Sequence, residues 1–553
     1  MTRRVLGGVH VPVPGRPAGH RLTADVYLSG DSAGSGDSGG SGAGSPGAVA
    51  GEDSVGHGPV LLVRTAYGRS RMTDEALAWS RRGVTTVVQD VRGRYDSDGD
   101  WQPYHHEAAD GAATIDWLAQ QPWAAGRPVV TYGASYSAFC AWAAAVSRPG
   151  VVRAVLSVAP SLGLRTAKFE PSGILRLAEH AGWWFLHGEG RTSRVQLTER
   201  MLAAEPDLLL RLPVAEIGDH AWPRTRRWRE VLRPDAAAVG AGELSDADLA
   251  GLDMPTLHVG GWYDLFLPET VRLWQLVGAA VANRPHRTMV LGPWDHGFGL
   301  SGATRVGARE HGPRARRLLG PLLSDWLTAT ALPAPDRRRD QVTYFLPGVD
   351  QWREASTWPP GLTTATIWYA TASGALTRRP GSRSGATSYL DDPADPFPSR
   401  APGADRRDLL HRTDTVHYDS GPLPAPVTLA GDPVAVLHVD TDAADTDWVV
   451  RLLERRADGS VLSLAHGSAR HRPTAADGGI DLRLTPVAAC VPVGSALLLQ
   501  ISSSDFPDLA RSLNRAGDRT LATTWTVARQ RVHHGGDQPT RVVLPVLDEA
   551  AAR

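Results

Sequence analysis

From residue 60 onward, short apolar runs alternate with stretches of helical periodicity. Val60-Leu61-Leu62-Val63, Thr85-Thr86-Val87-Val88, Pro128-Val129-Val130-Thr131-Tyr132 and residues 152–158 are each too short for a helix and rich in β-branched side chains. None alternates cleanly between apolar and polar, as a strand with one wet face would, so these strands are expected to be buried on both faces. Between the second and third run, Ala112, Ile115, Leu118 and Ala119 recur at helical spacing, and residues 138–146 form a second helical stretch of small side chains. Strand, helix, strand in this order predicts an α/β domain with a parallel sheet covered by helices.

Three segments before, within and after this pattern differ from it. Residues 29–57 are nearly all Gly, Ser, Ala and Asp, a composition that buries too little apolar surface to offset its ordering entropy. They are expected to be a flexible hairpin tip between strands near 22–28 and 60–64, with no function of their own. Residues 162–249 lose the alternation and contain Trp183-Trp184-Phe185 and helical stretches such as 195–202, which predicts a helical cap. The α/β pattern resumes at 256–259 and 288–291, and a helix near 314–327 is expected to close that domain. Past Trp358, short runs at 434–439, 448–453, 496–501 and 542–547 lie between Gly, Pro and Asp clusters and predict a β-sandwich. The expected division is an α/β domain in two pieces, 1–161 and 250–357, a helical cap at 162–249 and a jelly-roll-like sandwich at 358–553. A chain of 553 residues accommodates that number of units.

Composition narrows the function. The net charge of -1 creates no global field for nucleic acid or an anionic membrane. No apolar stretch is long enough for a transmembrane helix, and the apolar residues after Arg3-Arg4 are too few for a signal peptide. A cytoplasmic location is therefore expected. Cys140 and Cys490 lie too far apart in sequence for a disulfide framework and are expected to be buried small side chains. Lys168 is the chain's one lysine; arginine supplies every other basic side chain.

The candidate chemistry begins where the third strand runs into Gly133-Ala134-Ser135-Tyr136-Ser137-Ala138 and then a helix. A nucleophilic serine on a sharp strand-to-helix turn needs small neighbours, because the two backbones approach closely there. Gly-Ala-Ser alone is equally an ordinary tight turn. Two further residues change the balance. Asp264 follows a strand in Val259-Gly260-Gly261-Trp262-Tyr263-Asp264, and His296 follows another in Leu291-Gly292-Pro293-Trp294-Asp295-His296. Ser, Asp and His thus come in the chain order of a hydrolytic triad, each past a strand end, where open parallel sheets gather functional groups. Asp295 is a weaker candidate for the acid, since adjacent side chains do not easily orient one another. His105-His106-Glu107 and His533-His534 have no second ligand pair at a zinc-like spacing and read as surface histidines. Neither a phosphate-binding loop nor a dinucleotide fingerprint occurs, so neither metal nor cofactor is expected.

Together, Gly133-x-Ser135-Tyr136, Gly261-Trp262-Tyr263-Asp264 and Gly292-Pro293-Trp294-x-His296 resemble the bacterial cocaine esterase family, allied to X-Pro dipeptidyl-peptidases and α-amino acid ester hydrolases. The resemblance extends to Gln89-Asp90-Val91-Arg92-Gly93-Arg94, Gly348-Val349-Asp350-Gln351-Trp352-Arg353 and Gln500-Ile501-Ser502-Ser503-Ser504-Asp505. It implies an α/β-hydrolase domain, a cap and a jelly-roll-like sandwich. It also implies an oxyanion hole made of a tyrosine hydroxyl, here Tyr67, and the backbone N–H of Tyr136. Where the family commonly has proline before that tyrosine this chain has Ala66, which is expected to loosen the loop. Where it commonly has glycine three residues after the nucleophile, this chain has Ala138. Trp183, Phe266 and Phe169 fall where the family places pocket aromatics, although such residues also suit core packing at the cap junction.

The implied chemistry is two-step acyl transfer from a small-molecule acyl substrate, with ester hydrolysis the foremost reading. An aminopeptidase or α-amino acid ester hydrolase would need an anion for the substrate ammonium, for which Glu170 or Glu189 would serve. An acyltransferase of natural-product assembly and a non-catalytic binding protein are the remaining alternatives, and a homodimer stays open.

Overall fold

The computed structural model describes residues 4–13, 20–29, 58–222, 224–240, 242–282, 286–297, 302–331, 340–474, 479–537 and 539–548. Apart from Ser29, the expected hairpin tip lies outside the described residues. Ser29 itself is buried, its N–H donating to Thr85 Oγ1 at 3.1 Å.

One large sheet organises the first part of the chain. Its strands are β1 (Val5–Pro12), β2 (Arg21–Tyr27), β3 (Val60–Thr65), β4 (Thr85–Asp90), β5 (Val129–Ala134), β6 (Val152–Val158), β7 (Thr256–Tyr263) and β8 (Arg287–Asp295). They lie in the order β1-β2-β4-β3-β5-β6-β7-β8, followed by Gln341–Leu346 and Gln351–Ala355. The sheet is parallel from β4 to Gln341–Leu346 and antiparallel at both margins. β3 and β4 are buried along their whole length, as expected for strands covered on both faces. The helix after β5, Tyr136–Ser147, is also buried on nearly every side, which is why it is apolar almost all round.

Two elements depart from expectation. Val5–Pro12 forms the edge strand although its Gly7-Gly8 pair breaks the apolar pattern; the pairing register shifts there. The helix Leu319–Ala331 does not close the domain, because the chain returns to the sheet through Gln341–Leu346 and Gln351–Ala355.

Between β6 and β7 run short helices, including Leu164–Lys168, Leu177–Trp183 and Val195–Ala204. A hairpin bridged at Phe169 and Leu175 joins the first two. After Trp358 the strands form an antiparallel β-sandwich whose core includes Trp448, Leu452, Leu499 and Leu544. It seals onto the sheet domain through Leu267, Trp274, Tyr344, Trp358, Ala430 and Ala488, and through the buried Arg309–Glu454 ion pair. No helix among the described residues is long and apolar enough to cross a membrane. Cys140 and Cys490 are both buried.

The order β4-β3-β5 positions the site. The chain leaves β3 to one side for β4 and comes back on its other side as β5. The carboxyl ends of β3 and β5 therefore flank a crevice at the switch point, where open α/β sheets bind their ligands. Tyr67 follows one of these ends and Ser135 the other.

Candidate active site

Ser135 has φ 56 and ψ -123, a conformation that a non-glycine residue adopts only under constraint. The constraint is backbone pairing: its N–H donates to Val158 O at 3.0 Å, and its carbonyl accepts from Ala138 N–H at 3.0 Å. Glycine is required at position 133, since a Cβ there would stand 2.1 Å from the Ser137 backbone. The turn lifts the Ser135 hydroxyl off the sheet edge and aims it at the ends of the neighbouring strands.

His296 Nε2 lies 3.2 Å from Ser135 Oγ, and His296 Nδ1 lies 3.0 Å from Asp264 Oδ1. The Asp264 carboxylate is wholly buried, and its Oδ1 also accepts the Phe266 N–H at 2.8 Å. That arrangement puts the imidazole proton on Nδ1 and leaves the Nε2 lone pair to receive the serine proton. Burial by itself would lower the His296 pKa. The hydrogen bond and charge of Asp264 outweigh it, so the value stands above the ordinary one. Asp295, the other candidate acid, accepts the Gly297 N–H at 2.9 Å instead. The Phe266 ring meets the imidazole edge-on, 5.2 Å between centroids.

The Tyr67 hydroxyl accepts from Trp183 Nε1 at 3.3 Å and is also within reach of the Ser135 hydroxyl and the Tyr136 N–H. Burial pushes its pKa above the ordinary tyrosine value, against the pull of those three neighbours. The phenol is therefore a neutral donor near pH 7. The loop is tied down despite the missing proline. Arg94 Nε donates to Ala66 O at 2.9 Å and the Tyr95 hydroxyl to Tyr67 O at 2.8 Å, so the expected looseness is offset by side chains of the Arg92-Gly93-Arg94 segment and its neighbour. Ala138 is fully buried within the tightly packed helix.

Comparison with known proteins places this geometry in a family. Residues 50–298 match the model of the X-Pro dipeptidyl-peptidase S15 family, and residues 337–543 match the C-terminal non-catalytic domain of X-Pro dipeptidyl-peptidase. The cocaine esterase of Rhodococcus sp. (strain MB1 Bresler) is 29% identical over 90% of this chain and 95% of that protein. The chain belongs to the S15 peptidase and cocaine esterase family of serine hydrolases. Two solved structures share its fold. An α-amino acid ester hydrolase has a TM-score of 0.80 at 20% identity, covering 98% of this chain and 96% of that one. An aminopeptidase from a marine sediment Thaumarchaeota archaeon has a TM-score of 0.79 at 21% identity, covering 99% and 96%.

Behind the S15-type serine turn lies a buried polar layer that sequence reasoning missed. Arg64 Nη2 lies 2.9 Å from Glu107 Oε2, both side chains 1% exposed. Glu107 Oε1 accepts the Tyr136 hydroxyl at 2.6 Å, and the Tyr136 oxygen in turn accepts the Tyr104 N–H at 3.0 Å. The residue after Ser135 is thus held at both its backbone and its side-chain tip. Burial raises the Glu107 carboxyl above its ordinary pKa, with Arg64 opposing. The available signal was a charge inside an apolar strand, Arg64 in β3. In the sequence Glu107 stands out only as a metal-ligand type beside His105 and His106, whereas its burial puts it in this layer. His534 is likewise buried rather than on the surface. Among the described residues no group of three or more His, Cys, Asp and Glu is placed to hold a metal.

The pocket aromatics part ways. Trp183 stacks on Tyr136 at 5.9 Å, and Phe266 abuts His296. Phe169 is buried with its ring 6.3 Å from that of His180, in the apolar cluster that also holds Leu175, Leu177 and Trp184. A cavity of about 1100 Å³ opens beside His296 where sheet domain, cap and sandwich meet, lined among others by Asp264, Glu179, Arg176, Arg451 and Leu484. Of the two carboxylates expected to suit a substrate ammonium, Glu170 is paired with Arg176 at 2.7 Å and Glu189 accepts the Arg227 N–H at 2.6 Å.

Proposed function

We propose that this chain is a carboxylic ester hydrolase acting through an acyl-enzyme. His296 Nε2 takes the Ser135 proton as Oγ attacks the ester carbonyl. Asp264 holds the imidazole and stabilises its cation, and the protonated His296 then gives its proton to the departing alcohol. The Tyr67 hydroxyl and the Tyr136 N–H hold the oxyanion, where preorganised donors contribute most. Water, deprotonated by His296, releases the acid and restores Ser135. Trp183 and Phe266 flank the acyl group, with Phe169 in the layer behind. The substrate is a small molecule. The same reading divides the chain into a sheet domain at 1–161 and 250–357, a cap at 162–249 and a sandwich at 358–553.

The observation that carries this reading is the continuous Ser135–His296–Asp264 hydrogen-bond relay on a constrained strand-to-helix turn. The relative named a cocaine esterase, matched over 95% of its length, favours esters over peptides. The second reading, an X-Pro dipeptidyl-peptidase or α-amino acid ester hydrolase, draws on the family model's description. It needs an uncommitted carboxylate, and both Glu170 and Glu189 are engaged elsewhere. A fluorophosphonate probe tests the shared site, since only an activated serine reacts. Parallel assays of aryl esters, amino-acyl esters and X-Pro dipeptide amides then separate the readings. Faster turnover of the dipeptide amides than of the aryl esters would overturn the esterase assignment.

A further inference from the structure

In a chain that otherwise uses arginine for every basic side chain, the single lysine is buried next to the candidate site. Lys168 and Arg176 stand at the two ends of the cap hairpin, joined by the Arg176 N–H to Lys168 O bond at 2.9 Å. Glu179 follows in the helix Leu177–Trp183. Lys168 Nζ lies 2.8 Å from Glu179 Oε1 and 4.9 Å from the centre of the Trp183 ring. Trp183 Nε1 in turn reaches the Tyr67 hydroxyl. The two partners differ in exposure: the Lys168 side chain is 1% exposed and that of Glu179 33%. Glu179 lines the cavity that borders His296 and Asp264, and the buried Lys168 ammonium holds it from behind. A compact ammonium with three donors suits a niche offering one carboxylate and one aromatic face. A planar guanidinium with five donors would leave several unsatisfied.

Lys168 and Arg176 are the cations paired with the carboxylates of this hairpin and the helix after it. Arg176 is shared between Glu170 at 2.7 Å and Glu269 at 3.7 Å. Burial pushes the Glu269 carboxyl up to about 7, so it carries at most part of a charge near neutrality. Lys168 and Arg176 then offset Glu179 and Glu170. Without Lys168, Glu179 would lose its ion-pair partner.

We infer that Lys168 determines acyl specificity by neutralising Glu179, so that the site accepts uncharged acyl groups and turns away acyl groups bearing an α-ammonium. This rests on the ester hydrolase reading above. Lys168 acts through Glu179 and is a positioning residue, not a catalytic one. The acyl side is specified because the Lys168–Trp183 contact leads to Tyr67, the group assigned to the acyl oxygen.

The test compares kcat/KM for 3-phenylpropionic acid methyl ester and phenylalanine methyl ester, which differ by the α-ammonium, in weakly acidic buffer. The wild type should prefer the uncharged ester. In Lys168→Met the ratio of ammonium to neutral ester should rise about tenfold or more, the order expected for an uncovered charge close to the substrate in a partly buried site. Lys168→Gln, which keeps a donor to Glu179 without the charge, should shift the ratio the same way. Adding Glu179→Gln to either variant should return it to within about threefold of wild type. Fluorophosphonate labelling and melting temperature accompany each protein, so that a packing defect, which slows both esters alike, is told apart from a change in ratio. A ratio unchanged in labelled, folded Lys168→Met and Lys168→Gln overturns the inference while leaving the esterase reading intact, as does a shift that persists in the double variant. A labelled wild type that prefers the phenylalanine ester overturns the inference, and one that turns over neither these esters nor the aryl esters above overturns the esterase reading.

Discussion

On one side of Ser135 stand Arg64, Glu107 and Tyr136, carried by the sheet and its adjoining helices. On the other stand Lys168, Glu179 and Trp183, carried by the cap. Each side contains a short ion pair, 2.9 Å in the first and 2.8 Å in the second. The sheet-side pair is closed at both ends and fixes the backbone that follows the nucleophile. The cap-side pair is closed at the lysine and open at the carboxylate, so its charge faces whatever enters the cavity. The same interaction serves positioning in one wall and selection in the other, and exposure to the cavity makes the difference.

Substitutions can break this contrast in order of expected effect. Ser135→Ala removes the group both walls serve. Ester turnover should fall on the order of 10⁴-fold or more with the melting temperature nearly unchanged, because nucleophile and base act as a unit. Near-wild-type turnover in the purified variant would sink the assignment. Tyr67→Phe deletes one oxygen where the two walls meet. Loss of one oxyanion donor should cost about 10²–10³-fold in kcat with little change in KM; a loss below about threefold would reduce Tyr67 to a packing residue.

Glu107→Ala tests the sheet-side wall alone. It leaves the buried Arg64 charge without its nearest partner and the Tyr136 hydroxyl without its acceptor. Denaturant titration should show a loss of about 3–5 kcal/mol, the usual cost of breaking a buried pair. Its selectivity between charged and neutral acyl groups should stay that of the wild type, in contrast to Lys168→Met. A change in selectivity without loss of stability would erase the distinction between the walls.

The smallest effect is a displacement along the pH axis. His296 must be neutral to accept the serine proton, so kcat/KM should rise with pH through a group above 6.5, the ordinary histidine value. Stability runs the other way. Because the folded-state pKa is raised, the contribution His296 gains from Asp264 is complete below the unfolded value and is lost as pH rises through the folded one. Asp264→Asn should remove most of the pKa elevation and that loss together. A wild-type profile rising through a group below 6.5 would contradict the Asp264 contact.

How much of this was legible in the chain follows the same divide. Ser135, Asp264 and His296 could be located because each follows a strand whose apolar run is local, and the parallel sheet converts sequence position into position along one edge. Glu107 could not be singled out because the run His105-His106-Glu107 shows no local apolar pattern. Its burial depends on the helix Glu107–Leu118 packing against Tyr136–Ser147, a contact between segments that no local pattern joins. The edge strand Val5–Pro12 was missed for a related reason, since its Gly7-Gly8 pair gives no apolar signal and β2 supplies its pairing partner.

The sequence by itself determined the α/β class, the helical interruption, the sandwich and the strand-end placement of three chemical groups. All of these rest on the period of apolar positions and on turn residues, which act over a few neighbours in the chain. Only the tertiary structure decided that Tyr67 faces Ser135, that Arg94 ties the loop proline would have stiffened, that Phe169 packs beside His180, and that Glu179 looks into the cavity with Lys168 behind it. Those facts depend on the β4-β3-β5 crossover and on how the cap folds back over it. The energy of a buried charge is set by what surrounds it in space, and residues far apart in sequence supply those surroundings.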